Sequence, residues 1–205
     1  MITIINYGLG NINAFVNIYK KHGISIKVAT TVNDLENATR IILPGVGSFD
    51  QAMILFDKSG MRSAVDKMVL TEGIPLIGIC VGMQMLAHSS EEGILPGLGY
   101  IDGVVRKFDQ SKLIPKLNLP HMGWNDIRPS NGSVLFNNLS LNPLFYFLHS
   151  YYFDCNDNAN SIATTDYGEE FTCAVNHKNI YGVQFHPEKS HQNGIQLLKN
   201  FALLS

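Results

Sequence analysis

The sequence predicts an α/β protein in which a mostly parallel central sheet, flanked by helices, carries an antiparallel extension. In the first half, short β-branched runs alternate with helical stretches, which is typical of a parallel sheet covered on both faces. In the second half, strand-like runs follow one another through short turns such as residues 157–160, which favours antiparallel pairing. No repeat, low-complexity tract or linker interrupts the chain, so we expect residues 1–205 to form a single domain.

The first half is predicted to contain four strands and two helical stretches. Short apolar, β-branched runs mark the strands, the third of them closed by Pro44 and Gly45, and apolar residues at helical spacing mark the helices. The strands are residues 1–6, 24–30, 40–45 and 74–80. The helices are residues 12–21 and 50–72, the second broken at Gly60. Because ligands of parallel sheets bind at the carboxyl ends of the strands, we expect the functional site at that edge.

The second half is predicted to contain further strands and a closing helix. After residue 80 a helix is expected over residues 82–88. The strands that follow are residues 100–108, 144–153, 161–167, 171–177 and 180–185. Ser190 is expected to open a last helix through Ile195, Leu198 and Phe201.

Composition excludes several classes of function. The 205 residues are 45% hydrophobic and 16% charged, with a net charge of −2 and no run of Lys or Arg, which argues against nucleic acid or anionic lipid as a partner. The N-terminus lacks the features of a signal peptide, and no segment approaches the roughly 18 apolar residues of a membrane span. Cys80, Cys155 and Cys173 match neither a disulfide framework nor a zinc pattern. We expect a reduced, cytoplasmic protein without a metal or cofactor.

The segment Gly78-Ile79-Cys80-Val81-Gly82 has the layout of a nucleophile elbow, with cysteine in place of serine. A residue held in a strained strand-to-helix turn needs neighbours without side chains, and the first turn of the helix stabilises a thiolate. A buried structural cysteine and a redox or metal thiol are the alternatives, and the pattern alone does not decide between them.

A partner for the cysteine is predicted in the segment His186-Pro187-Glu188, which follows an apolar strand. Side chains two apart in an extended segment point the same way, so Glu188 can hold the imidazole of His186 in one tautomer. The alternative is an ordinary exposed pair at a strand end. A metal site is disfavoured because no other cluster supplies a third ligand.

An oxyanion hole is predicted from two backbone segments. The N–H of Val81 follows the elbow, and Pro44-Gly45-Val46-Gly47 ends a parallel strand at the same sheet edge. Glycine lets the amides of Val46 and Gly47 turn toward a ligand, although an ordinary strand-to-helix turn would have the same sequence.

Together these segments resemble the class I (triad) glutamine amidotransferases along the whole chain. The resemblance is carried by NYGLGN, LPGVGSF, GICVGMQ, SSEEG, LPHMGWN, YFLHSYY, YGVQFHPEKS and GIQLLKNF, in that order. It implies the family's flavodoxin-like sheet. It also implies roles for the triad: Cys80 as the nucleophile, His186 as the acid and base, and Glu188 as the residue that orients the histidine.

The resemblance also implies substrate and partner residues. L-Glutamine is expected to bind Gly47, Gln84, Glu92, Ser150 and Tyr151. Asn11, Trp124, Tyr146 and Lys189 match positions that face a partner protein, although Trp124 and Tyr146 also fit ordinary core or surface aromatics. PGVG, HMGWN and HSYY are similar to the glutaminase subunits of imidazole glycerol phosphate synthase, which implies a heterodimer with a (β/α)-barrel cyclase subunit.

Two departures from the family pattern are Asn6, where the family usually has aspartate, and Val81, where leucine is commoner. Asn6 leaves open a related subunit that serves sugar-modifying amidotransferases of surface polysaccharide synthesis. A stand-alone cysteine hydrolase and a catalytically silent scaffold are further alternatives, which HMGWN and the intact triad respectively disfavour.

Overall fold

The computed structural model describes residues 1–112, 117–130 and 132–204, and it confirms the predicted α/β architecture. The strands are β1 Ile2–Ile5, β2 Ile26–Ala29, β3 Arg40–Gly45, β4 Leu76–Cys80, β5 Gly103–Lys107, β6 His121–Asp126, β7 Arg128–Pro129, β8 Leu144–His149, β9 Tyr151–Cys155, β10 Ser161–Asp166, β11 Glu170–His177 and β12 Ile180–Val183. The α-helices are α1 Ile12–Lys21, α2 Phe49–Lys58, α3 Arg62–Asp66, α4 Val81–Gln84 and α5 His191–Leu203. Short 3-10 helices cover Val32–Leu35, Gln110–Lys112, Val134–Phe136, Asn158–Asn160 and Pro187–Lys189, and a π-helical turn covers Lys67–Thr71.

The main sheet has the strand order β2-β1-β3-β4-β12-β11-β10-β7. Strands β2 through β12 of this order pair in parallel, and all five residues of β4 are buried, as expected for a central strand covered on both faces. From β12 onward the pairing is antiparallel, and β9 joins β11 to β5. Strands β6 and β8 form a separate two-stranded sheet.

Two features of the strands differ from the sequence predictions. The predicted strand 144–153 is two strands that bend at Ser150, where the chain leaves β6 and joins β5. Strands β6 and β7 were not predicted. Strand β6 has no clear strand pattern in the sequence, because it contains Gly123, at φ +139°, and ends in polar residues. Strand β7 is a two-residue edge strand that ends in proline.

The helix predicted over residues 82–88 is wrong in length, because α4 ends at Gln84. The N–H groups of Leu86 and Ala87 bond three residues back instead of four, which tightens the chain out of the α-helix. The N–H of His88 then donates to the carbonyl of Gly103 at the start of β5. Pairing with a strand therefore replaces the last predicted helical turn.

The parallel register brings three chain segments to one edge of the sheet. Gly45 of β3 lies opposite Cys80 of β4, and Val183 of β12 lies opposite Ile79. The segments 46–48, 81–84 and 184–188 therefore leave the sheet side by side. None of the helices within residues 1–112, 117–130 and 132–204 combines the length and apolarity needed to span a bilayer.

Candidate active site

Cys80 occupies a strained corner between β4 and α4. Its φ of +55° and ψ of −114° lie in a region of backbone conformation that residues other than glycine rarely adopt. Such strain persists only where the surrounding structure imposes it, and it is concentrated at functional sites. The geometry is that of the predicted elbow.

The glycines around Cys80 are required by close backbone contacts. A Cβ at Gly78 would lie 2.4 Å from the carbonyl oxygen of Gly82, and a Cβ at Gly82 would lie 2.0 Å from that of Leu43. A Cβ at Gly45 would lie 2.3 Å from the backbone nitrogen of Gly82. Strand β3 therefore packs directly against the elbow, so a side chain at Gly45 or Gly82 would push the two apart, and a side chain at Gly78 would push β4 away from α4.

His186 and Glu188 form the predicted pair. The ring nitrogen Nδ1 of His186 donates to Oε1 of Glu188 across 3.0 Å, and the two side chains are 4% and 2% exposed. Burial disfavours the charged imidazole, but hydrogen bonds to the Cys80 sulfur and to the Glu188 carboxylate outweigh it and raise the pKa of His186 to about 10. Because Nδ1 is used by Glu188, Nε2 is left to face the sulfur. The three predicted triad residues are thus connected in the order that nucleophilic catalysis needs.

The surroundings of Cys80 are polar on one side. Its Sγ lies 3.9 Å from the carbonyl oxygen of Leu148 and 3.7 Å from Nε2 of Gln184. Cys80 is buried as a residue but still lines an open pocket. By contrast, burial raises the pKa of the Cys155 thiol to about 12, and Cys173 lies fully inside the core. Cys80 thus differs from the two other cysteines in that its thiol has access to a pocket.

The pocket beside Cys80 has a volume of about 290 Å³, at the small end for a small-molecule site. The structure brings the predicted oxyanion and substrate residues together in it. The lining includes Val46, Gly47, Val81, Gln84, Glu92, Ser150, Tyr151 and His186. Glu188 supports His186 from behind and is not part of the lining.

Two of the predicted substrate residues also hold the pocket together. The carboxylate of Glu92 accepts a hydrogen bond of 2.8 Å from the backbone N–H of Phe49, the first residue of α2. The side chain of Gln84 donates to the carbonyl of Tyr151 and to Oε1 of Gln184, at 3.2 and 3.0 Å. Both amide hydrogens of Gln84 are therefore used by the protein.

The predicted oxyanion turn, residues 44–47, is held in place by contacts with Tyr7 and Gly10. Gly47 has φ +86°, a conformation that glycine adopts without strain. The hydroxyl of Tyr7 donates to the carbonyl of Pro44 across 2.7 Å, and Gly10 packs so closely on Pro44 that a Cβ there would lie 2.7 Å from the proline ring. Val81 opens α4, where the first N–H groups have no acceptor within the helix.

Two of the four predicted partner residues, Trp124 and Tyr146, lie on the β6–β8 sheet, and Lys189 lies against it. The Trp124 ring stacks on His191 at 5.0 Å and meets the Tyr146 ring edge-on at 6.1 Å, and Nζ of Lys189 lies 5.6 Å from the Tyr146 ring centre. Lys189 also lines the pocket. Asn11 is exposed at the N-cap of α1 and lies outside this ring cluster.

The outer face of the β6–β8 sheet extends this surface. We use "outer face" for Met122, Trp124, Leu144, Tyr146 and Leu148, which alternate with buried residues along β8 and with less exposed residues along β6. Met122 is 65% exposed and Trp124 is 46% exposed, a large apolar area for a small sheet.

Sequence analysis missed several residues of the site. Tyr7, Gln184 and His149 contribute contacts that arise only when separate segments pair, and no local pattern marks them. In the part of the chain that the structure describes, no three His, Cys, Asp or Glu side chains come together as a metal-ligand set.

Comparison with known proteins places the chain in a family. A family model described as class-I glutamine amidotransferase matches residues 3–204. The chain is 54% identical to the imidazole glycerol phosphate synthase subunit HisH of Bdellovibrio bacteriovorus, over 98% of this chain and 99% of that protein. It is 49% identical to the protein of the same name from Leptospira interrogans, over the full length of both.

Solved structures agree on the fold. PurLQS from Thermotoga maritima is 18% identical with a TM-score of 0.74, covering 98% of this chain and 96% of that chain. A crystal structure of a glutamine amidotransferase is also 18% identical, with a TM-score of 0.73, covering 98% and 99%. At such low identity these likenesses concern the fold alone. Because the family model spans nearly the whole sequence and full-length relatives are about half identical, the chain belongs to the class-I glutamine amidotransferase family.

Proposed function

We propose that the chain is the glutaminase subunit of imidazole glycerol phosphate synthase. In this role it hydrolyses L-glutamine at Cys80 and passes the ammonia to a cyclase subunit. The observation that carries the proposal is the connection of His186 to both Cys80 and Glu188 at one pocket. The HisH names of the full-length relatives support the identity of the complex.

The first half of the reaction uses the charged imidazole. The Cys80 thiolate attacks the carboxamide carbon of glutamine, and the C–S bond forms as the carbonyl electrons move to oxygen. Collapse of this intermediate breaks the C–N bond. His186 gives its Nε2 proton to the departing nitrogen, which leaves as ammonia, and a glutamyl thioester remains on Cys80.

The second half uses the neutral imidazole. His186 takes a proton from a water molecule that attacks the thioester carbon, and the C–S bond breaks as glutamate forms. The thiolate and the imidazolium are then restored. Glu188 stabilises the imidazolium in each cycle because its carboxylate accepts the Nδ1 hydrogen across 3.0 Å.

The oxyanion of both steps requires backbone donors. We assign the N–H of Val81 and an amide of the turn at Val46 and Gly47, all of which line the pocket with Cys80. Loss of one such donor lowers the rate by about 10²–10³-fold in comparable enzymes. A rotation of the Val46–Gly47 peptide would therefore be sufficient to switch the glutaminase off.

The ammonia requires an acceptor that this chain does not make. We propose that a (β/α)-barrel cyclase subunit covers the outer face and that the handover takes place at this interface. Leu148 supports this arrangement, since its side chain belongs to the outer face while its carbonyl faces the Cys80 sulfur. The pocket and the proposed docking surface are thus joined within one residue.

The test is transfer of labelled nitrogen. Glutamine carrying ¹⁵N in its amide is supplied to the full chain with the cyclase subunit and its ribonucleotide substrate. We expect ¹⁵N in the imidazole ring of the product, and we expect Cys80→Ala to abolish its appearance while the complex still forms. Glutamine hydrolysis with no ¹⁵N in the imidazole would refute this acceptor and favour the sugar-modifying relative.

A further inference from the structure

Two buried histidines connect the outer-face sheet to the glutamine pocket. His121 of β6 and His149 of β8 lie directly opposite each other in the antiparallel register, and both are nearly inaccessible. Nδ1 of His121 lies 3.0 Å from Nε2 of His149. His149 lines the glutamine pocket, whereas His121 lines a separate cavity of about 500 Å³. The bond between the rings therefore crosses the wall that divides the two spaces.

The hydrogen-bond direction is fixed at the pocket end. Nδ1 of His149 lies 2.7 Å from the carbonyl oxygen of Tyr151, which can only accept, so this nitrogen carries a proton. In the neutral ring, Nε2 must then accept from Nδ1 of His121.

The direction is fixed independently at the other end. Nδ2 of Asn125 donates to the carbonyl of Asp166 across 2.8 Å, which sets the orientation of its amide. The second hydrogen of that amide faces Nε2 of His121 at 3.4 Å, so this nitrogen accepts. His121 must therefore donate through Nδ1, in agreement with the argument from His149.

Both arguments give the same proton count: two neutral rings, each protonated at Nδ1. A second proton on either ring would place two N–H groups against each other. Burial lowers the pKa of His121 to about 4, and burial, helped by the neighbouring His121, lowers that of His149 to about 3. The rings of Phe147 and Tyr167 stack on the two faces of the His121 ring, with ring centres 4.7 and 4.0 Å away, and restrict its rotation.

The two hydrogen-bonded rings of His121 and His149, which we call the histidine relay, end at the carbonyl group of Tyr151 beside the pocket. The carbonyl of Tyr151 accepts from both His149 and Gln84, so both of its lone pairs are used and its peptide plane is fixed. The pocket residues Ser150 and Tyr151 come directly before this anchored peptide in the chain.

We propose that His121 and His149 are positioning residues that hold the Ser150–Tyr151 segment in its glutamine-binding geometry and tie it to the sheet that carries the outer face. This rests on the proposed function, since it concerns the same glutamine pocket. His121 and His149 lie on the side of this sheet opposite the outer face. A partner that binds the outer face and holds the sheet in place therefore also holds these two rings in place.

The first test is spectroscopic and needs no activity. Long-range ¹H–¹⁵N spectra of the full-length protein should show both rings neutral and protonated at Nδ1 at pH 7. A coupling across the hydrogen bond should join Nδ1 of His121 to Nε2 of His149. A charged ring, or a proton on Nε2 of either histidine, would overturn the proposal.

The second test uses a matched pair of variants in the complex with the cyclase. His121→Phe keeps the stacked ring but loses both hydrogen bonds, whereas His121→Asn keeps a donor in place of Nδ1. We expect His121→Phe to raise the KM for glutamine about tenfold, the factor for one lost hydrogen bond, with kcat within about twofold. His121→Asn should restore most of the loss.

Unchanged KM in a folded His121→Phe protein that binds the cyclase would refute the positioning role, as would a fall in kcat alone. If His121→Phe does not fold, the spectra decide. Cys80→Ala separates this outcome from failure of the proposed function, because residual glutamine turnover in that variant would contradict the glutaminase mechanism itself.

Discussion

The backbone N–H of His186 donates a hydrogen bond of 2.8 Å to the carbonyl of Tyr146. This bond joins the loop that follows β12 to strand β8, whose outer side chains form the apolar surface. The same strand places the Leu148 carbonyl beside Cys80 and His149 beside the pocket. One strand thus contacts both ends of the Cys80–His186 pair, so displacement of β8 would change the geometry of the site.

The charge on Glu188 should set the alkaline limit of the reaction. The pKa of His186 is raised, against the effect of burial, by its hydrogen bond to Cys80 and by the support of Glu188, so the proton needed by the leaving nitrogen is kept until pH rises through about 10. In Glu188→Gln that support is lost and the pKa falls. We expect the alkaline limb of kcat to move to lower pH by about one pH unit or more. A limb that stays in place would show that Glu188 does not act on His186.

The elbow glycines should be intolerant of a methyl group. In Gly82→Ala the new Cβ would lie 2.0 Å from the backbone oxygen of Leu43, which cannot move without shifting β3. We expect a loss of more than about 3 kcal/mol in the free energy of unfolding by urea titration.

Gly23→Ala is the matched control for this loss. Gly23 also has a positive φ, of +68°, but open space where a Cβ would lie, so only backbone strain of about 1–2 kcal/mol is expected. Equal losses in the two variants would contradict the proposed backbone contact.

The histidine relay should make the protein sensitive to mild acid. The pKa values of His121 and His149 are lowered to about 4 and about 3, against about 6.5 in an unfolded chain. Below about pH 6.5 the unfolded chain therefore binds protons that the folded chain does not. Stability should fall by about 1.4 kcal/mol per pH unit for each ring.

His121→Asn removes one of these rings and should lower the slope of stability between pH 6.5 and pH 5 by the amount for one histidine. The measurement is urea denaturation at several pH values. His186 does not affect this comparison, because it is present in both proteins and its raised pKa keeps it protonated in the folded state throughout this range. A slope that is the same in the variant would contradict a neutral, buried His121.

The outer face should carry binding to the cyclase. Trp124→Ala removes a half-exposed ring at its centre, and we expect at least about a tenfold weaker Kd by calorimetry, as for a central aromatic of an interface. Leu203→Ala is the control. Leu203 is 80% exposed but adjoins Leu204, whose carbonyl is bonded to Arg40 at the start of β3, far from the carboxyl edge. Equal effects in both variants would contradict the proposed surface.

The strands of the parallel sheet could be predicted because each is a short, mostly apolar run rich in β-branched residues, and their order of pairing places Gly45 and Cys80 together. The elbow could be predicted because its glycine spacing has a steric cause and because His186 and Glu188 supply partners for the cysteine. The division of residues 144–153 could not, since both halves favour strand and only their partners differ.

The histidine relay could not be predicted either. His121 and His149 are 28 positions apart, and nothing near either one indicates that the other will be its partner. Tyr7 and Gln184 are similar cases, because their contacts with Pro44 and Gln84 exist only after the strands assemble. The roles assigned to Gly47, Glu92, Ser150 and Tyr151 stay predictions.

The central claim is that Cys80, held beside His186, is the sulfur that reacts with glutamine. The most direct measurement is peptide mapping by mass spectrometry after treatment of the complex with a chloroketone analogue of glutamine. We predict one added mass, on the peptide that contains Cys80, with protection by glutamine. Labelling of Cys155 or Cys173 instead, or label on Cys80 that glutamine does not prevent, would contradict the account.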